Sequence, residues 1–195
     1  MNNKKRRHLE LLYDCLYDMY CPNEDERDFC FYCGVPADTR DHVPALNCVE
    51  SIRAEYINPD TDIIYQKVFA CRECNSMASD KRHLDIWERK DWLKKALFQK
   101  YKKDIEQIDW YEEDFHDCGE ELSRQMKARM KRKYTAIARI LFGENTTFFI
   151  DDLGYLPFDP ILLERYVSPE AAKNVIRIVN HSNPNNHTPL GGYLS

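Results

Sequence analysis

Residues 30–33 read Cys-Phe-Tyr-Cys and residues 71–75 read Cys-Arg-Glu-Cys-Asn, with the pair Asp41-His42 between these two Cys-x-x-Cys knuckles. Four thiolates at this spacing are typical ligands of a closed tetrahedral Zn²⁺ site, which stabilises a small fold and does no chemistry itself. Asp, His and Asn suit another role, because oxygen ligands bind hard cations and an imidazole accepts protons. We therefore expect a zinc-stabilised segment that also contains a hydrolytic site.

The chain has eight cysteines, which would suggest disulfides in a secreted protein. The N-terminal segment, however, has Glu10, Asp14 and Asp18 among its apolar residues and so lacks the apolar core of an export signal. We expect a cytoplasmic protein of a bacterial or phage-infected host cell, and zinc rather than disulfides. The predicted zinc ligands are Cys30, Cys33, Cys71 and Cys74. Free buried thiols are expected at Cys15, Cys21, Cys48 and Cys118, with Cys21 or Cys48 as alternative zinc ligands.

Composition limits the classes of partner. The chain has 195 residues, enough for one domain or two, and no run of 18 or more apolar residues, so no membrane-spanning helix is expected. A net charge of -5 argues against a protein that coats nucleic acid by bulk charge. The charge is segregated, however, because residues 105–121 are acidic and residues 124–139 are basic.

Apolar periodicity predicts mostly helices. Two helices should each bury one apolar stripe, formed by Ile86, Leu93, Leu97 and Tyr101 in the first and by Leu122, Met126, Met130, Tyr134, Ile137 and Leu141 in the second. One short strand is expected at 61–70, leading into the second knuckle, and a second is possible at 146–150. The tail from 181 to 195 is rich in Asn, Pro and Gly, and we expect irregular structure there. Helices are predicted at 5–20, 75–80, 82–104, 122–142, 160–166 and 169–180.

The spacing of the knuckles leaves room for a hairpin that presents the polar residues. Asp41 and His42 fall early in the 37 residues between the knuckles, and Asn75 falls on the first turn of the helix that follows the zinc. Phosphodiester hydrolysis needs a base for the attacking water and positive charge on the phosphoryl oxygens. His42 can be that base, and Asp41 with Asn75 can hold one Mg²⁺ or Mn²⁺ while leaving positions for phosphate and water.

These motifs resemble the HNH, or His-Me finger, endonucleases with a four-cysteine zinc site, including phage recombination nucleases of the endonuclease VII type. The resemblance covers residues 28–83. It implies a ββα-metal, treble-clef-like unit in which Asp41 and Asn75 bind the catalytic metal and His42 is the general base. The matching segments are Cys30-x-x-Cys33-Gly34, Asp41-His42-Val43-Pro44 and Cys71-x-x-Cys74-Asn75-Ser76.

The chain departs from the family pattern at two positions. Gln66 stands where the family usually has Asn, five residues before the second knuckle, and Ala78 stands where a Lys is common. We therefore expect phosphate contacts from the residues that follow, Lys81, Arg82 and His83. A second set is expected on the basic helix, at Lys127, Lys131 and Arg132, with plain solvated surface as the alternative.

Together the patterns predict an α+β fold, a small zinc-stabilised unit embedded in a mainly helical chain. The predicted segments are an N-terminal helix and linker at 1–27, the zinc unit at 28–83, a helical region at 84–143 and a C-terminal extension at 144–195. The predicted function is metal-dependent endonucleolytic hydrolysis of nucleic acid, with DNA as the expected partner and no membrane. The alternative is a zinc-stabilised module that binds nucleic acid or protein without turnover.

Overall fold

The fold is α+β, as predicted, with a three-stranded sheet among helices. The structure is a computed structural model, and it describes residues 3–21, 28–55, 63–79, 81–143 and 159–182. The chain divides into two compact units, Met1–Lys100 and Tyr101–Ser195. Among the described helices, none combines the length and apolarity needed to cross a lipid bilayer.

The sheet lies in the first unit and has the strand order β1-β3-β2. Strands β1 (Asp18–Met19), β2 (Thr39–Val43) and β3 (Gln66–Ala70) are short. β2 and β3 are antiparallel, and the register places His42 opposite Lys67. Side chains directly opposite each other project from the same face of a sheet. The strand predicted at 61–70 is confirmed only from Gln66 onward, where β3 begins. Residues 61–62 lie outside the described residues.

The N-terminal segment is helical over a shorter range than the apolar spacing predicts. α1 runs from Asn3 to Tyr13, a 3₁₀ helix follows, and the chain then extends into β1, which pairs in parallel with β3. The predicted helix at 5–20 is thus wrong beyond Tyr13, because backbone pairing with β3 replaces further helical bonds. A buried cluster joins this segment to the residues that follow β2; its members are Leu9, Tyr17, Leu46 and Val49.

Turns and short helices place the two knuckles. After Cys30, the amides of Cys33 and Gly34 both donate to the carbonyl of Cys30, and Gly34 has φ of 71°, a conformation that glycine adopts without strain. α2 (Val49–Glu55) occupies part of the interval in which the sequence predicts only a hairpin and loop. α3 (Arg72–Ala78) begins at the second knuckle, where the Cys71 sulfur accepts a bond from the Cys74 amide.

α4 (Ile86–Ile105) begins four residues later than predicted. The Asp85 carboxylate accepts bonds from the amides of Trp87 and Glu88 and so caps the first turn. Three members of the predicted apolar stripe, Ile86, Leu93 and Leu97, are fully buried, and the fourth, Tyr101, is half-buried.

The second unit contains α5 (Glu120–Ile140), α6 (Pro160–Tyr166) and α7 (Pro169–Ser182). The apolar stripe of α5 is buried as predicted from Met126 to Ile137, but Leu122 is exposed. The predicted start of α6 is confirmed, because the Asp159 carboxylate accepts a bond from the Ile161 amide and Pro160 follows the cap. The predicted strand at 146–150 and the tail from 183 lie outside the described residues.

Candidate functional site

The four knuckle cysteines form a buried cluster that can hold a metal ion such as zinc. Their sulfur atoms all lie within 4.8 Å of one another, and the sulfurs of Cys33 and Cys71 are 3.7 Å apart. A regular tetrahedron with Zn–S bonds of about 2.3 Å has S···S edges of about 3.8 Å, so the cluster has the dimensions of a zinc site. Within the described ranges, no other cysteine belongs to it.

The electrostatics of the cluster favour a bound cation. Hydrogen bonds to neighbouring cysteines raise the pKa of the Cys30 and Cys74 thiols, whereas Cys71 accepts such a bond from Cys30, which helps lower its pKa to about 6. Four adjacent thiols therefore do not all ionise by themselves, and a divalent ion would supply the compensating charge.

The remaining four cysteines are expected from the sequence to be buried thiols. This is wrong for Cys15, which is exposed, whereas Cys21, Cys48 and Cys118 are half-buried.

A small cleft of about 50 Å³ lies in the first unit. Its lining includes the three residues predicted to be catalytic, Asp41, His42 and Asn75. Two arginines, Arg6 and Arg40, line the same cleft and are exposed. The structure thus brings the predicted catalytic residues together and adds cationic side chains that the sequence did not single out.

His42 is held by a carboxylate from the N-terminal segment. Its Nε2 lies 2.9 Å from Oδ1 of Asp14, and Nζ of Lys67 lies 3.0 Å from each oxygen of the same carboxylate. Hydrogen bonds from His42 and Lys67 lower the pKa of Asp14, so this carboxylate is ionised near neutral pH. Burial lowers the pKa of His42, and Asp14 opposes that change. His42 is therefore a neutral imidazole near pH 7, able to accept a proton.

Asp41 is a member of a buried ion pair. Nη1 of Arg89 lies 2.9 Å and 3.0 Å from the two carboxylate oxygens of Asp41, and the Tyr32 hydroxyl donates to Oδ2 at 2.7 Å. The Arg89 side chain is fully buried, and it also donates to the carbonyls of His42 at 3.2 Å and Lys81 at 3.0 Å. Asp41 thereby connects β2 to α4.

Asn75 connects α3 to β2. Its Nδ2 donates to the carbonyl of Arg40 at 2.9 Å and to the hydroxyl of Thr39 at 3.1 Å. The amide oxygen is then the atom of this side chain best suited to accept a bond from a ligand in the cleft.

The predicted catalytic ion does not fit these donors as they are arranged. Mg²⁺ requires several oxygen ligands at about 2.0–2.1 Å in octahedral geometry. Both oxygens of Asp41 already accept bonds from a guanidinium, and a divalent ion at the same carboxylate would lie against that buried positive charge. This arrangement does not favour Mg²⁺ or Mn²⁺ at Asp41 and Asn75, and their binding there stays a prediction.

The predicted phosphate-binding residues differ in exposure. Lys81 and Arg82 are exposed, whereas His83 is buried with its ring centroid 5.5 Å from that of Trp92. On α5, the exposed residues include Lys127, Lys131 and Arg132.

Two of the seven cationic residues between positions 124 and 139 of α5 are buried. Lys133 donates to the Gln107 carbonyl at 2.7 Å and to the Asp109 carboxylate at 2.8 Å, and Arg139 donates to the Tyr101 hydroxyl at 3.1 Å. The basic face of α5 is thus smaller than the sequence suggests.

Comparison with known proteins provides no relative. No protein-family profile matches this chain, and neither curated proteins nor solved structures provide a match. The residues themselves therefore carry the evidence for function.

Two residues that hold the site, Asp14 and Arg89, belong to none of the motifs in the sequence. Arg89 did have a signal, because it lies three residues after Ile86 and four before Leu93, on the apolar stripe of the predicted helix. A charged residue at such a position is rarely buried unless it is paired. Asp14 had no comparable local signal, since its partner His42 is 28 residues away.

Proposed function

We propose that the first unit is a zinc-stabilised nuclease module of the His-Me finger type, which hydrolyses phosphodiester bonds in nucleic acid, with DNA as the expected substrate. The observation that supports it best is the shared cleft of Asp41, His42 and Asn75, because Asn75 directly follows Cys74 of the buried four-cysteine cluster. Two antiparallel strands followed by a helix, as the resemblance implies, are present as β2, β3 and α3, although α2 lies between the two strands in the chain. All of these residues belong to the first unit.

In the proposed reaction His42 removes a proton from the attacking water. The water oxygen bonds to phosphorus as the bond from phosphorus to one sugar oxygen breaks, and that oxygen leaves and takes up a proton from solvent. A positioned general base of this kind typically contributes about 10²–10⁴-fold to the rate. The phosphate would lie against Arg6 and Arg40, whose guanidinium groups match phosphate oxygens geometrically. Asn75 would contribute its amide group at the same cleft. No step is assigned to a divalent ion, because Arg89 already holds the Asp41 carboxylate.

A second candidate function is a zinc-stabilised module that binds nucleic acid without cleaving it. The Asp41–Arg89 ion pair favours this candidate, because it occupies the carboxylate that the resemblance assigns to a catalytic metal. The exposed arginines of the cleft suit binding as well as catalysis.

Binding and turnover are measured on the same samples to separate the two. Zinc-loaded full-length protein is incubated with end-labelled duplex DNA, single-stranded DNA and single-stranded RNA, in metal-free buffer and with Mg²⁺ or Mn²⁺ added. We expect cleavage of DNA by the wild type, and binding without cleavage by His42→Ala. Binding without cleavage by the wild type in every buffer would support the second candidate, and absence of both would contradict both candidates.

A further inference from the structure

We propose that Asp14 is a positioning residue for His42, which makes the N-terminal segment a part of the site. Asp14 holds the proton of His42 on Nε2, and Nδ1 is then the nitrogen that accepts a proton. The contact between the two side chains stands on the geometry alone, whereas its catalytic consequence rests on the proposed function of His42.

The polarity of the contact follows from its partners. An ionised carboxylate can only accept hydrogen bonds, so Nε2 of His42 must be the donor across the 2.9 Å to Asp14. A neutral imidazole has one N–H and one lone pair, and the lone pair is then on Nδ1. The same arrangement of carboxylate and imidazole orients the base in other hydrolytic sites.

Lys67 holds the carboxylate in place. It lies opposite His42 in the β2–β3 ladder, so both side chains project from one face of the sheet. Its Nζ is 3.0 Å from each oxygen of Asp14, and the Lys67 side chain is only 13% exposed. The Asp14 carboxylate therefore accepts one donor from β2, His42, and one from β3, Lys67, and these two contacts fix its direction.

The backbone on either side of Asp14 is fixed by the sheet and by the core. β1 follows it by a few residues, with Asp18 paired to Gln66 and Met19 paired to Lys67. Tyr17 is buried, donates to the Pro44 carbonyl at 2.6 Å and places its ring centroid 4.9 Å from that of His42, edge to face. Two side chains of the N-terminal segment, those of Asp14 and Tyr17, thus contact the imidazole of His42.

The test compares Asp14→Ala with Asp18→Ala in zinc-loaded full-length protein. Asp18 is an exposed carboxylate on β1, so its variant removes the same charge from the same segment. By proton–nitrogen NMR at pH 8, we expect a slowly exchanging Nε2–H signal for His42 in the wild type and in Asp18→Ala, and its loss in Asp14→Ala. The kcat for DNA cleavage should fall about 10–100-fold in Asp14→Ala with KM nearly unchanged, as for a misplaced catalytic group.

The two readouts separate the possible failures. If the wild type cleaves nothing, the proposed function fails, and the Nε2–H signal still decides the contact. An unchanged Nε2–H signal in Asp14→Ala, or an unchanged kcat in a protein that has lost this signal, would overturn the positioning role. Asp14 is 49% exposed, so its removal should leave the fold intact. Should Asp14→Ala fail to fold, Asp14→Asn keeps the shape of the side chain and is held to the same kcat and KM criteria.

Discussion

Replacing Arg89 with Met tests whether the buried ion pair with Asp41 holds β2 to α4. Met keeps much of the length of the side chain and removes the charge. The variant would leave the carboxylate of Asp41, only 5% exposed, with the Tyr32 hydroxyl as its described hydrogen-bond donor. It would also remove the donors to the carbonyls of His42 and Lys81.

The expected cost is large, because the remaining charge is buried. Removing one partner of a buried ion pair typically costs about 3–5 kcal/mol, whereas an exposed pair contributes at most about 1 kcal/mol. The matched control is Arg72→Met, because Arg72 pairs with Asp38 at 3.2 Å and its side chain is 83% exposed. Adding Asp41→Leu to Arg89→Met should recover much of the loss, since no unpaired charge is then buried.

Zinc release during urea unfolding reports on the first unit directly, because the four-cysteine cluster lies within it. Released zinc is followed with a chromogenic chelator. At a slope of about 2 kcal/mol per molar urea, Arg89→Met should lower the midpoint by roughly 2 M, and Arg72→Met by less than about 0.5 M. Equal, small shifts in the two variants would refute the reasoning that the Asp41–Arg89 pair holds β2 to α4.

Three further predictions concern zinc, phosphate binding and pH. Cys71→Ser should lose the single zinc ion and unfold the first unit, because binding energy at such a site is also folding energy; elemental analysis and circular dichroism check this. A triple Lys127/Lys131/Arg132→Ala variant should show a weaker dependence of DNA affinity on salt. The slope of log affinity against log salt should fall by roughly 0.9 for each phosphate of duplex DNA that the variant no longer neutralises. An unchanged slope would show that this face of α5 is ordinary solvated surface. Because burial lowers the pKa of His42 below its ordinary value of about 6.5, the cleavage rate should reach half its maximum at a more acidic pH than that; a half-maximal rate at a higher pH would contradict it.

The features that the sequence predicted are those that depend on local spacing. The cysteine cluster follows from two short motifs and the preference of zinc for four thiolates. The apolar stripes of α4 and α5 follow from helical periodicity, and the start of α6 follows from the cap at Asp159.

The features that it missed depend on contacts between distant residues. β1 exists because its backbone pairs with β3, and no local preference for a strand marks Asp18 and Met19. Arg89 meets Asp41 across 48 residues of chain, so the motif that contains Asp41 could not show that its carboxylate is occupied. Tertiary pairing of this kind overrides local propensity.

Cleavage of supercoiled plasmid by zinc-loaded wild type and His42→Ala tests the central claim most directly. His116→Ala is the control, because His116 is an exposed histidine outside the cleft. We expect nicking by the wild type and by His116→Ala, and a loss of about 10²–10⁴-fold in His42→Ala with DNA binding retained. Nicking by His42→Ala at the wild-type rate would show that the cleft around His42 is not where phosphodiester bonds are cut.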